Sequence, residues 1–175
     1  MSLRNRCPAL FLGLVFITAS IAGQAEEPPR EAEQTVARSE AVDALQSFQK
    51  DPLHNLEAAS VFMTYVKEDG DVHVSMTDKL VPWMRPERPM PMRARALLLS
   101  AFVAGNFDSQ LKDETQLDDT VAGLSYTVEV YELLKQEDPS LNVPELETLL
   151  EAKQNDDLQN AVQAMINDAN PSYED

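Results

Sequence analysis

Leu117-Asp-Asp-Thr-Val121-Ala-Gly-Leu124-Ser-Tyr-Thr-Val128-Glu-Val-Tyr131 sets apolar residues at alternating steps of four and three. That spacing keeps one face of a 3.6-residue helix apolar and makes the seam of a helix packed in a bundle. A helix is therefore predicted between Thr115 and Gln136, and the rest of the chain reads outward from it. Upstream, Ala94–Ala104 is nearly all apolar, with Leu97, Leu98, Leu99, Phe102 and Val103. A helix apolar on every side belongs at the centre of a fold. Gly105-Asn106 is the expected stop of that helix, since glycine readily takes the left-handed C-terminal position.

The flanking helices are marked by cap signals. Val36, Ala41, Val42, Leu45 and Phe48 follow the helical period from Thr35 onward and stop before Asp51-Pro52. Asp at a cap with Pro in the first helical position would start the next helix. Its expected apolar face is Leu53, Leu56, Ala59, Met63 and Val66, and Gly70 is its expected end. Asp138-Pro139 reads as the same device. Asn142-Val-Pro144-Glu145 has the spacing of a capping box. Two further helices are expected at Val143–Lys153 and Asp157–Asp168, the latter carrying Leu158, Val162, Met165 and Ile166. Only Asp71–Met76 alternates with period two; lacking a partner strand, it is expected to be irregular or helical. The fold class is all-α: an irregular helical bundle, or a short stack of antiparallel helix hairpins, of about six helices with a Pro-rich connector. The two Asp-Pro junctions lack the signposts of a tetratricopeptide period, so they reflect shared helix-stop chemistry rather than that repeat.

The N-terminus reads as an address. Arg4 and Arg6 precede an apolar run from Ala9 through Ala22, and small residues allow cleavage after Ala22 or Ala25. This is the pattern of a secretory signal peptide, residues 1–25, and the run is short against the roughly 20 residues that span a bilayer. Cys7 precedes the run instead of closing it, which is the wrong place for a lipoprotein cysteine. Residues 26–34 are expected to form a flexible acidic leader, 35–170 a single helical domain with its connector at 82–93, and 171–175 an acidic tail. A periplasmic or secreted protein is expected, with no membrane insertion after cleavage.

The whole chain carries 14 Lys and Arg against 30 Asp and Glu, net −16. Cleavage removes two Arg and no acid, so the mature chain is more negative still. Such a surface lacks the basic footprint that nucleic acid or an anionic bilayer requires. The mature chain also has no cysteine, which excludes thiol catalysis and Cys-ligated zinc.

Catalytic motifs are judged by what they need. The mature glycines, Gly70, Gly105 and Gly123, are too scattered for a phosphate-cradling or dinucleotide loop. Gly123-Leu-Ser125-Tyr-Thr127 has no second glycine and lies in a helical seam, so Ser125 is read as a helix serine. Glu68-Asp69-Gly70-Asp71 with His73 offers carboxylates to a hard cation but lacks the EF-hand order, and it is read as a helix end and turn. Asp113-Glu114, Asp118-Asp119 and Asp156-Asp157 are sequence neighbours, which on a helix point about 100° apart and form no acid–base pair by themselves. No catalytic residue, metal ligand or cofactor is assigned.

The unusual stretch is Pro82–Arg95, with four Pro, three Met, four Arg and the only Trp. Proline at this density favours extended backbone. One reading is a connector, with Trp83 and the methionines on the core and the Arg answering nearby acids. Another is a partner-binding ridge of Trp83, Met84, Arg85, Arg88, Met90 and Met92, residue types enriched at interfaces. Copper(I) on Met84, Met90 and Met92 is a third reading, disfavoured because the stretch has no His. The expected function is a non-catalytic binding module of the cell envelope whose partner is another envelope protein. The alternatives are an envelope hydrolase using acidic residues and a small-ligand carrier with a cavity between helices.

Overall fold

A computed structural model describes residues 36–68, 72–113 and 118–169. The signal peptide, the 26–34 leader, the 171–175 tail, Leu117 of the seam, and Asp69, Gly70 and Asp71 of the acidic cluster lie outside the described residues. Within them the protein is all-α, with six α-helices and no strand: α1 (Arg38–Lys50), α2 (Leu56–Glu68), α3 (Met92–Asp113), α4 (Thr120–Glu137), α5 (Pro144–Gln154) and α6 (Leu158–Ala169). A 3-10 turn, Pro82–Met84, lies between α2 and α3. No helix among the described residues is long and apolar enough to cross a membrane.

The helices pair in sequence as α1–α2, α3–α4 and α5–α6, and they form a bundle. The first pair packs on α3 and the third on α4, leaving α3–α4 in the middle. One hydrophobic core runs through all six, with Phe48, Phe62, Trp83, Leu97, Phe102, Phe107, Leu124, Tyr131 and Leu146 among its fully enclosed side chains. Phe48 meets Phe62 edge-on at 5.5 Å between centroids and Tyr126 at 6.4 Å. Edge-to-face contacts of this kind suit the ring quadrupoles. α6 is the outermost helix, with only Val162 fully buried behind the partly covered Leu158, Met165 and Ile166.

The middle of the central helix, Leu97 to Phe107, is buried on nearly every side, as its composition predicts, but the helix does not stop at Gly105-Asn106. It continues two more turns to Asp113. Gly105 is there because α4 leaves no room for a side chain. A Cβ at that position would collide with the Ala122 carbonyl oxygen and come within 2.9 Å of Tyr126 Cβ. Gly123 answers from α4, where a Cβ would lie 2.8 Å from the Phe102 carbonyl oxygen and 3.2 Å from its ring. Two of the rare glycines thus let two helix backbones touch, which is a packing role rather than a helix-stop role.

The Asp-Pro junctions also need correcting. Asp51 and Asp138 are the C-caps of α1 and α4, their N–H groups bonded back to Ser47 and Leu134. Neither starts the next helix. α2 begins four residues after Pro52, with Ala59 N–H donating to the Asn55 carbonyl, while Asn55 Nδ2 reaches back 3.0 Å to the Ser47 carbonyl. Asp138 Oδ1 accepts from Ser140 N (3.0 Å) and Ser140 Oγ (2.6 Å), closing a side-chain turn. α5 does begin with Pro144, but its N-cap is Val143, not Asn142, and no side chain caps it. Tyr131 pins this junction instead: its hydroxyl accepts from Val143 N at 3.0 Å and donates to Glu147 Oε1 at 2.5 Å.

Candidate functional site

Pro82–Arg95 is held tightly to the body of the protein. Trp83 is 0% exposed and belongs to the core, which corrects its placement on a binding ridge. Proline nitrogens at positions 86, 89 and 91 cannot donate, so nearby carbonyls need other donors. Arg95 supplies them, with Nη1 3.0 Å from the carbonyls of Met84 and Arg85 and Nη2 2.9 Å from that of Arg88. Arg88 pairs with Glu145 of α5 at 2.7 Å, and Arg93 with Glu137 of α4 at 3.1 Å. Met84 and Met90 are half-buried against the core, and Met92 projects from the first turn of α3, 78% exposed. Arg85 is half-buried and forms no ion pair among the described residues. It lines a cleft of mixed character, about 410 Å³, with Lys79, Pro82, Glu145, Leu149 and Met165. The structure brings Arg85, Arg88 and Met84 onto one segment but turns Trp83 inward and Met92 outward.

A larger opening lies on the other side of α3. α2 carries two apolar stripes: Ala59, Phe62 and Tyr65 enter the core. Met63 and Val66, expected on the core face with Ala59, are only partly covered and look into an open groove. Its far wall is the segment Val72–Met76 and its floor is Val103 of α3, with Thr64, Lys67, His73 and Ser75 completing the lining. The groove measures about 670 Å³ and is mostly apolar, a size suited to a ligand or to several residues of a partner. Among the described residues no acidic side chain lines it.

The wall segment is neither helical nor formless. Val72 and Val74 are half-buried while His73 and Ser75 are exposed, the alternation of extended backbone. Side chains stand in for a partner strand along one edge. Gln110 accepts from His73 N at 3.1 Å and donates from Nε2 to His73 O at 2.7 Å. Asp118 Oδ2 accepts from Ser75 N at 3.0 Å. Behind them the buried Asn106 amide donates to Asp118 Oδ1 and its oxygen accepts from Gln110 Nε2. Asp119, the other member of that acidic pair, caps α4 through Ala122 N at 3.0 Å and accepts from Ser109 Oγ at 2.5 Å. Asp118-Asp119 is thus structural. Sequence reasoning noticed the alternation but not its support. The available signal was Asn106 and Gln110, four apart and so on one face of a helix that continues past Gly105, since buried amides require partners.

Titratable groups elsewhere serve packing. Burial pushes Glu147 up, but hydrogen bonds from Lys135 and Tyr131 and the Lys135 charge outweigh it and hold the carboxyl below its usual range. Burial, and then the bond to Glu147, raises the Tyr131 hydroxyl well above its ordinary value. Tyr126 rises for the same first reason, with the charges of Glu129 and Asp108 adding to it. Among the described residues the two carboxyls that move, Asp138 and Glu147, move down, the direction opposite to that of a general acid. Among the described residues no three His, Cys, Asp or Glu side chains converge as a metal site.

The class that emerges is an all-α bundle with a rigid central helix pair and one open, mostly apolar groove. Compared with known protein families, curated proteins and solved structures, the chain matches none significantly.

Proposed function

We propose that this protein is an exported, non-catalytic binding module of the cell envelope that docks a partner in the groove between α2 and Val72–Met76. The groove carries the reading. It leaves a second apolar stripe of α2, Met63 and Val66, only partly covered by the core, and such a surface is kept where something covers it. The N-terminal sequence supports export. The proline-rich segment becomes a clamp between α3, α4 and α5, with Arg85 its unengaged base.

Placing glutamate on the groove wall tests this. Thr64→Glu changes a half-buried residue and leaves the core intact, so recovery of crosslinked partner from an envelope fraction should fall with no shift in melting temperature. Unchanged recovery with Thr64→Glu, but loss with Arg85→Ala, would move the site to the proline-rich segment. A small-ligand carrier is the second reading, favoured by the groove's apolar lining. It predicts that extraction of the purified protein with organic solvent releases an apolar compound.

A further inference from the structure

The wall of the groove has an unused backbone edge. In extended chain, the N–H and C=O groups of alternate residues point to opposite edges. The edge formed by His73 and Ser75 is closed by Gln110 and Asp118. The backbone groups of Val72, Val74 and Met76 therefore lie along the opposite edge of a segment that walls the groove, and no described residue bonds to them. α2 cannot pair with them, because its own N–H and C=O groups are spent within the helix.

We infer that this edge receives an extended peptide from a partner protein as an added β-strand, lying in the groove beside α2. This rests on the groove being the docking site and names the chemistry of what docks. An unpaired strand edge is a template for another strand, and main-chain bonds supply affinity while alternate side chains supply specificity. A strand here would lie roughly 4.8 Å from Val72–Met76. Its inward side chains would meet Met63, Val66 and Val103, so every second residue of the partner is apolar. Lys67 and His73 are the titratable residues in the groove's described lining, so the outward residues are neutral or acidic. A small apolar ligand would leave the edge amides unanswered. A second copy of this chain would bring two strongly acidic surfaces together.

The test uses an array of heptapeptides with Val, Ile, Leu, Phe or Tyr at positions two, four and six and Ser, Thr or Glu between. Bound members are measured by fluorescence anisotropy against the mature chain. N-methylating alternate residues blocks one edge of a peptide at a time. Methylation of one set should weaken binding about tenfold or more, and methylation of the other set should not. On the protein, Met76→Pro removes one edge N–H without touching the core, since Met76 is 50% exposed and its N–H is unbonded. Met76→Ala keeps that N–H. Proline should weaken binding about tenfold where alanine does not, with both variants melting as the parent. Equal effects of the two methylation sets, or of the two Met76 variants, would overturn strand addition. So would an array in which no peptide binds better than its order-scrambled control, or a dimer in sedimentation that Met76→Pro dissociates. Partner recovery that still depends on Thr64 in those cases leaves the groove as a docking site and removes only the strand. Loss of both results removes the whole reading.

Discussion

α3 meets its neighbours in two opposite ways. Toward α4 it presents Gly105, and the two backbones touch with no space for a single carbon. Toward α2 and Val72–Met76 it presents Val103, and about 670 Å³ stays open above it. The first contact is dry, reciprocal through Gly123, and built from atoms that cannot move independently. The second is held at one edge by Gln110 and Asp118 and left unpaired at the other. One helix can thus anchor a rigid interface and floor a receptive one, because its faces are chosen by the partner element rather than by its own composition. A helix apolar on all sides does not reveal which face will be which.

The contrast can be broken from the rigid side first. Trp83→Ala should give the largest loss, about 4 kcal/mol by chemical denaturation, because a fully enclosed indole joins the connector to the core. A loss below about 1 kcal/mol would make the proline-rich segment an appendage. Gly105→Ala should cost about 3 kcal/mol, since the added carbon meets backbone and not a flexible side chain. On the open side, Gln110→Leu leaves both backbone groups of His73 without their partner, for a loss of about 2 kcal/mol. Amide exchange at His73 and Ser75 should rise in that variant, while the α3–α4 amides keep their protection.

Smaller effects lie at the junctions around α5. Glu147 has a lowered carboxyl affinity for protons, so its contribution is present above its ordinary value of 4.5 and is lost as pH falls through the lower folded value. Glu147→Gln should therefore flatten the acid limb of a melting-temperature profile below about pH 5. Tyr131 moves the other way: its contribution is complete below its ordinary 10.0 and fades as pH rises above it. Absorbance of tyrosinate should show Tyr131 titrating late in the native protein and normally in denaturant. Asp156 has φ 58°, a left-handed position just after α5. Asp156→Gly should stabilise slightly, by about 0.5 kcal/mol, the relief of the Cβ being offset in part by glycine's greater freedom when unfolded.

Much of the fold was legible in the chain. Leu124, Val128 and Tyr131 are buried along the seam that their spacing marks, and Pro144 opens α5. The candidate site was far less legible. Trp83 and the arginines drew attention by composition, yet Trp83 is enclosed and Arg88, Arg93 and Arg95 are engaged within the protein. The groove is lined mainly by Val, Met, Thr and Ser residues, with Lys67 and His73, and no count draws attention to that set. Its existence depends on α2 burying Phe62 and Tyr65 and leaving Met63 and Val66 only partly covered, a choice between two apolar stripes that periodicity alone leaves open.

By itself the sequence determined an all-helical class, the centrality of α3, the positions of α5 and α6, and a proline-rich interruption, which ends at Pro91 because Met92–Arg95 already belong to α3. Each follows from forces acting within a few residues: the 3.6-residue period, the missing proline N–H and the cost of an uncovered apolar face. Tertiary structure alone decided that Gly105 continues a helix, that Asp51 and Asp138 close helices instead of opening them, and that Val72–Met76 runs extended. The first and last depend on atoms distant in the chain, the Ala122 carbonyl against Gly105 and Gln110 and Asp118 along one edge of a segment with no strand beside it, while the Asp caps rest on bonds to Ser47 and Leu134 nearby. Local preference proposes a conformation, and steric room and hydrogen-bond partners supplied from elsewhere select it.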